Sequence, residues 1–180
     1  MLNTADLPAQ GDIATLEALR AVADSQRHRI LCLLIEEPLT PTAIAEKLDI
    51  ARTRVYYHLE ILRKHGFIGV VGERPVAAMV ERTYRAQARA FRVDRALLAA
   101  SASAVHDAQA KLLEGAADDL RAAGDAEVLV TRAFVRLTPE QAAKLRELLR
   151  DVAREEFRDD AAGEWFELVL ALFPSGGTPQ

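Results

Sequence analysis

The chain has 180 residues, a hydrophobic content of 50% and a formal net charge of −4, enough apolar material for a sizeable core in one large domain or two small ones. No run approaches the roughly 18 apolar residues that a membrane span requires, and the opening MLNTADLPAQGD lacks the cationic and apolar succession of a secretory leader. A cytoplasmic protein without a membrane partner is therefore expected, and Cys32, the single cysteine, excludes an intrachain disulfide; within the apolar run ILCLLI it reads as core.

Residues 1–12 read as a flexible tail, because Pro8, Gly11 and scattered acids offer no periodic apolar face. Residues 13–23 suit a short amphipathic helix through Leu16, Leu19 and Val22. Asp24 can cap the next helix, which buries Ile30, Leu31, Leu34 and Ile35 until Pro38 ends it. The segment 39–68, LTPTAIAEKLDIARTRVYYHLEILRKHGFI, fits two short helices joined by a tight turn. Thr40 is placed to cap the first, Pro41 suits its first turn, and Ile44, Ala45 and Leu48 form its buried face. Asp49, Ile50 and Ala51 make the turn. In the second helix, at about 52–65, Val55, Leu59 and Leu62 recur at i, i+4 and i+7, and Gly66 stands where a left-handed C-terminal cap is expected.

A helical count from Val55 turns Thr53, Tyr57, Glu60 and Lys64 away from the core, with Arg54 and Tyr56 on the flanks. The N-terminal end of that face is basic and aromatic. Such a face suits the DNA major groove, where charge meets phosphate and planar donors meet base edges. The charge is also segregated: residues 51–92 hold nine basic groups against Glu60, Glu73 and Glu81, a local excess of +6 within an acidic chain. Of the 23 basic residues 19 are arginine, a bias that a GC-rich coding sequence also produces and that carries no functional argument. After Gly66 the segment FIGVVGERPVAAMVERTYRA alternates apolar and other residues around punctuation at 72–75, which predicts a β-hairpin wing with Arg74 near its tip.

Residues 15–85, with LRAVADSQRHRILCLLIEEPLTPTAIAEKLDIARTRVYYHLEILRKHGFI followed by a hairpin, resemble the winged helix-turn-helix regulators of the ArsR type. Leu19 to Asp24 echo that family's opening, and His58 with Leu59 echo its histidine-leucine pair. The resemblance implies a homodimeric DNA-binding transcription factor, usually a repressor released by a signal. Carried over position by position, it implies DNA contacts by Arg52, Thr53, Arg54, Tyr56 and Tyr57, and by Arg74 on the wing. Metal-sensing members place paired cysteines on the helix that here begins after Leu39, and this chain has none there.

In the C-terminal half, positions 98, 102, 105, 109, 112, 116 and 120 read Leu, Ala, Val, Gln, Leu, Ala, Leu, a stripe of 3.6-residue period on a helix over 94–122. That stripe, anchored by Leu98, Val105, Leu112 and Leu120, reads as a dimerisation seam. Gly124 and Asp125 end the helix; residues 128–137, VLVTRAFVRL, have high β-propensity. Thr138, Pro139 and Gln141 have the spacing of a capping box before a helix carrying Leu145, Leu148, Leu149 and Val152. The apolar run WFELVLALF at 165–173 reads as a strand buried on both faces. Phe134, Phe157, Trp165 and Phe166 serve either as plain core or as the lining of an effector pocket.

No two of His28, His58, His65 and His106 stand three or four residues apart, and the sequence shows no phosphate loop, no His-Glu-x-x-His and no nucleophile elbow. No metal, cofactor or enzymatic activity is expected. The sequence therefore predicts a mainly α (α+β) chain: a tail at 1–12, a winged helix-turn-helix DNA-binding domain at 13–92, and a region at 93–180. The last would hold a long dimerisation helix and a small α/β extension with room for a small-molecule effector. The expected function is a sequence-specific, homodimeric regulator, a repressor on an inverted-repeat operator, contacting double-stranded DNA through Arg52, Thr53, Arg54, Tyr56, Tyr57, Lys64 and Arg74. The alternative is a winged helix used as a protein-interaction module, which would more often present an apolar recognition face.

Overall fold

The computed structural model describes residues 7–76, 79–124, 128–130, 135–152 and 168–173. Its contacts separate two compact units, Met1–Asp118 and Asp119–Gln180, where the sequence reading set a boundary at 92/93.

The first unit opens with strand β1 (Gly11–Ile13), followed by helices α1 (Leu16–Val22) and α2 (Ser25–Glu36). Gly11 and Asp12 thus belong to a strand rather than to a tail, and Ile13 precedes the helix expected to contain it. Thr15 sets that start, its hydroxyl accepting from the Ala18 N–H at 3.1 Å. Asp24 caps α2 in the same way, accepting from the Arg27 N–H at 3.0 Å. The next pair, α3 (Pro41–Leu48) and α4 (Arg52–Lys64), is the helix-turn-helix. Thr40 caps α3 with proline at its first turn, and Asp49 adopts φ 50°, a left-handed conformation that aspartate tolerates better than most residues. Gly66 has φ 75° with open space around it, so backbone conformation and not crowding requires glycine there. Ile30, Leu34, Ile44, Val55, Leu59, Leu62 and Phe67 close the core between these helices. Each such side chain contributes roughly 1.5–3 kcal/mol by burial.

The wing consists of β2 (Ile68–Val76) and β3 (Met79–Ala86), antiparallel, with Val71 forming an irregularity between the Val70 and Gly72 pairings. Residues 72–75, expected to make the turn, lie inside β2; ladder pairing continues to Val76 opposite Met79. A second ladder was not foreseen: β1 runs parallel to β4 (Phe91–Val93), and the Phe91 ring meets the Phe67 ring edge-on at 4.9 Å.

The helix expected over 94–122 is two helices, α5 (Arg95–Ala100) and α6 (Ala102–Ala122). Asp94 caps the first, accepting from the Ala96 N–H at 2.7 Å, and Ser101 breaks the pair at φ −147°. The break divides the stripe read as a dimerisation seam, leaving Leu98 on α5 and the rest on α6. Val105 is 0% exposed within the core of its own chain, Ala108 is buried beside it, and Leu112 packs partly against the same cluster. Further along α6, Gly115 lies against the start of α2, where a Cβ would stand 3.2 Å from the Ser25 Cβ. Leu98 and Leu120 remain exposed.

In the second unit, α7 (Pro139–Asp151) begins with the expected capping box: the Gln141 N–H donates to the Thr138 hydroxyl at 3.2 Å and the Thr138 N–H to Gln141 Oε1 at 2.9 Å. The strands expected at 128–137 and 165–173 are absent from their described portions. Residues 128–130, 135–137 and 168–173 carry no ladder, and Leu129 and Phe173 are 92% and 70% exposed. An apolar run becomes a strand only where a neighbour satisfies its N–H and C=O groups, and the described residues offer these runs none. Phe134, Phe157, Trp165 and Phe166 lie outside the described residues. The expected α/β extension is represented among the described residues by α7 alone.

Candidate nucleic-acid interface

The outer face of α4 is fixed from within. Val55, His58, Leu59 and Leu62 are buried, so the helix cannot rotate about its axis, and Arg52, Thr53, Arg54, Glu60 and Lys64 are held in solvent. Tyr56 and Tyr57 are both exposed, at 47% and 62%, so neither is spent on the core. No side chain caps the first turn, since its N-cap is Ala51. The positive end of the helix therefore coincides with Arg52 and Arg54, an arrangement that favours an anion.

Ion pairing redistributes the charge counted in the sequence. Arg63 lies 3.0 Å from Glu60, Arg74 2.8 Å from Glu81, Arg82 3.0 Å from Glu73 and Arg92 3.1 Å from Asp12. Arg85 is buried. Arg52, Arg54 and Lys64 make no ion pair with any described residue, so the face of α4 carries positive charge that no acid neutralises. The wing, by contrast, pairs its charges across the strands. Sequence reading assigned Arg74 to DNA and missed that Glu81 faces it, although two opposite charges flanking a short turn are the signal for such a rung.

His58 sits on the inner face of α4, its ring edge-on to Tyr57 at 5.5 Å, with neither ring nitrogen hydrogen-bonded within the described structure. Burial lowers its pKa, Asp24 opposes that shift, and Arg27 and Arg54 add to it. Cys32 is half-buried on α2. Among the described residues no group of three or more histidine, cysteine or acidic side chains could hold a metal ion. No helix among them is long and apolar enough to cross a membrane.

A family model described as a helix-turn-helix domain matches residues 22–71, from the end of α1 into the wing. No curated protein matches the chain significantly. Among solved structures, reduced HlyU from Vibrio cholerae N16961 is 26% identical, aligned over 41% of this chain and 72% of its own, with a TM-score of 0.33. HlyU from Vibrio vulnificus CMCP6, described as a transcriptional regulator, is 22% identical over 53% of this chain and 83% of its own, with a TM-score of 0.32. An apo, doubly substituted form of ZitR from Lactococcus lactis is 18% identical over 74% and 83%, with a TM-score of 0.29. The winged helix-turn-helix expected from the ArsR-type resemblance is met by the domain match and by the two-stranded wing that follows it.

Proposed function

We propose, with a winged helix-turn-helix domain as the premise, that the protein is a homodimeric transcriptional regulator, a repressor, that reads an inverted-repeat operator with α4. The single observation that supports the reading most is the unpaired cationic and aromatic face of a helix locked by its core, with Arg52, Arg54, Tyr56 and Tyr57 toward its uncapped N-terminal end and Lys64 at its last turn. Arg52 and Lys64 meet phosphate, whereas Arg54 and Tyr57 reach base edges. A protein-interaction face would instead be apolar there.

Dimerisation falls to the outer side of α5 and α6, because the inner side is committed to the chain's own core. Leu98 on α5 and Ala110 and Leu113 on α6 are exposed apolar side chains. Small residues such as Ala110 let two copies approach closely. A dimer presents two α4 helices to successive major grooves about 34 Å apart, which implies half-sites one helical turn apart. A small-molecule signal would act through the C-terminal region in the cytoplasm.

The experiment is fluorescence anisotropy of the full chain on duplexes that it selects from a randomised pool, titrated with salt. Selection of a two-fold symmetric site, with affinity falling steeply with salt, is the expected result. Binding without sequence selection, or without salt dependence, points to the interaction-module reading.

A further inference from the structure

Successive side chains on a helix point about 100° apart, so immediate neighbours do not ordinarily face each other. Tyr57 and His58 do. Their ring centroids stand 5.5 Å apart with the planes inclined at 63°, so the two side chains lean toward each other on α4. Their surroundings differ. His58 is 7% exposed and lies with Val55, Leu59 and Leu62 on the side of α4 that packs against α2 and α3, so its ring is fixed by the core, whereas Tyr57 stands in solvent. Neither imidazole nitrogen is hydrogen-bonded within the described structure, so what His58 offers its neighbour is a ring surface. Tyr56, the other exposed aromatic of α4, meets no ring among the described residues.

We propose that His58 is a positioning residue for base reading, its core-held ring fixing the Tyr57 ring in the orientation that enters the major groove. The proposal rests on the reading of α4 as a DNA-binding helix and adds to it a rigid link from the core to one base contact. An exposed tyrosine samples several rotamers, and ordering it on binding costs about threefold to tenfold in affinity. An edge-to-face aromatic contact has the same magnitude, so it suffices to order the ring beforehand. The phosphate contacts of Arg52 and Lys64 do not pass through this link. His58 therefore governs the preference at one base pair and not the attraction to DNA in general.

The test uses the full chain on a duplex selected from a randomised pool and on duplexes that each carry one base-pair change. Tyr57→Ala identifies the pair whose preference depends on the tyrosine. His58→Leu is expected to lose about threefold to tenfold in preference at that pair and nothing at the others, and His58→Phe, which keeps a ring, is expected to restore it. Added to Tyr57→Ala, His58→Leu is expected to change nothing further at that pair; added to Tyr56→Ala, its loss recurs in full. A loss spread evenly over all pairs, an undiminished loss in the Tyr57→Ala chain, or wild-type preference in His58→Leu overturns the proposal and leaves the α4 reading intact. His58→Phe behaving as His58→Leu does, with its thermal transition in place, overturns the ring contact as the cause. A readout without substitution is the nuclear Overhauser effect between the two rings in the free wild-type chain labelled at tyrosine and histidine: it is expected, and its absence overturns the proposal even if a variant fails to fold. Failure to select any duplex removes the α4 reading and the positioning role together.

Discussion

The Glu60 carboxylate lies 3.0 Å from the Arg63 guanidinium, three residues further along the outer face of α4. Glu60 is the acid on the face assigned to DNA, and Arg63 holds its charge to the side. In solvent such a pair contributes only about 0.2–1 kcal/mol to stability, so its consequence lies in the surface potential. Arg63→Ala is expected to weaken DNA binding about threefold to tenfold, because it removes a cation and also frees an acid, while the melting temperature hardly moves. Glu60→Gln is expected to strengthen binding. Anisotropy at fixed salt checks both; equal affinities for the two variants would contradict the arrangement.

Arg54→Ala and Tyr57→Ala are each expected to weaken specific binding by about 1–3 kcal/mol without loss of helical circular dichroism, since both side chains are exposed and neither supports the core. Arg74→Ala is expected to lower affinity for all sequences alike. Competition against duplexes with single base changes separates the two behaviours, and a loss confined to one major-groove position would place Arg74 on a base edge instead.

The burial of Val105 changes what a charge does on α6. Val105→Asp places an ion in a closed apolar core and is expected to destabilise the first unit by several kcal/mol, seen as a collapse of the thermal transition. Leu113→Asp, on the exposed side, is expected to leave that transition in place and to split the dimer in sedimentation. A folded, monomeric Val105→Asp chain would return the seam to the inner stripe.

His58 gives the fold a dependence on acid. Burial holds its pKa below the ordinary value of about 6.5, so the unfolded chain binds the proton more readily than the folded one. Its neutral form is accommodated fully above about pH 6.5, and stability is lost as pH falls from there through the lowered folded value. Urea midpoints of the wild type between pH 7.5 and 5 are expected to fall more steeply than those of His58→Leu. Parallel slopes would show that other groups carry the acid sensitivity.

Much of the helix-turn-helix was legible in the sequence because its signals are local. Asp24, Thr40 and Thr138 announce helix starts through hydroxyl or carboxylate caps, and Gly66 marks an end through a backbone conformation that other residues resist. The outer face of α4 followed from the 3.6-residue period alone. The β1–β4 ladder did not, because three-residue strands have no period and their partner lies some 80 positions away. The cover of the α6 stripe was not legible for a related reason. A stripe of apolar residues declares that it will be covered but not by what, and Val105 found its cover in the same chain. The wing turn was set too early because Gly72 and Pro75 look like punctuation, whereas the strands accommodate both, Gly72 beside the irregularity at Val71 and Pro75 near the end of the ladder.

The most direct measurement of the central claim is the salt dependence of DNA binding by the wild type and by a chain carrying Arg52→Ala and Arg54→Ala, on the duplex the wild type selects. With phosphate neutralised by the α4 cations, log affinity falls linearly with log salt at about 0.9 per neutralised phosphate. The account predicts a steep negative slope for the wild type, a shallower one for the double variant, and loss of selectivity for the two-fold symmetric site. Equal slopes and unchanged selectivity in the two chains would contradict it.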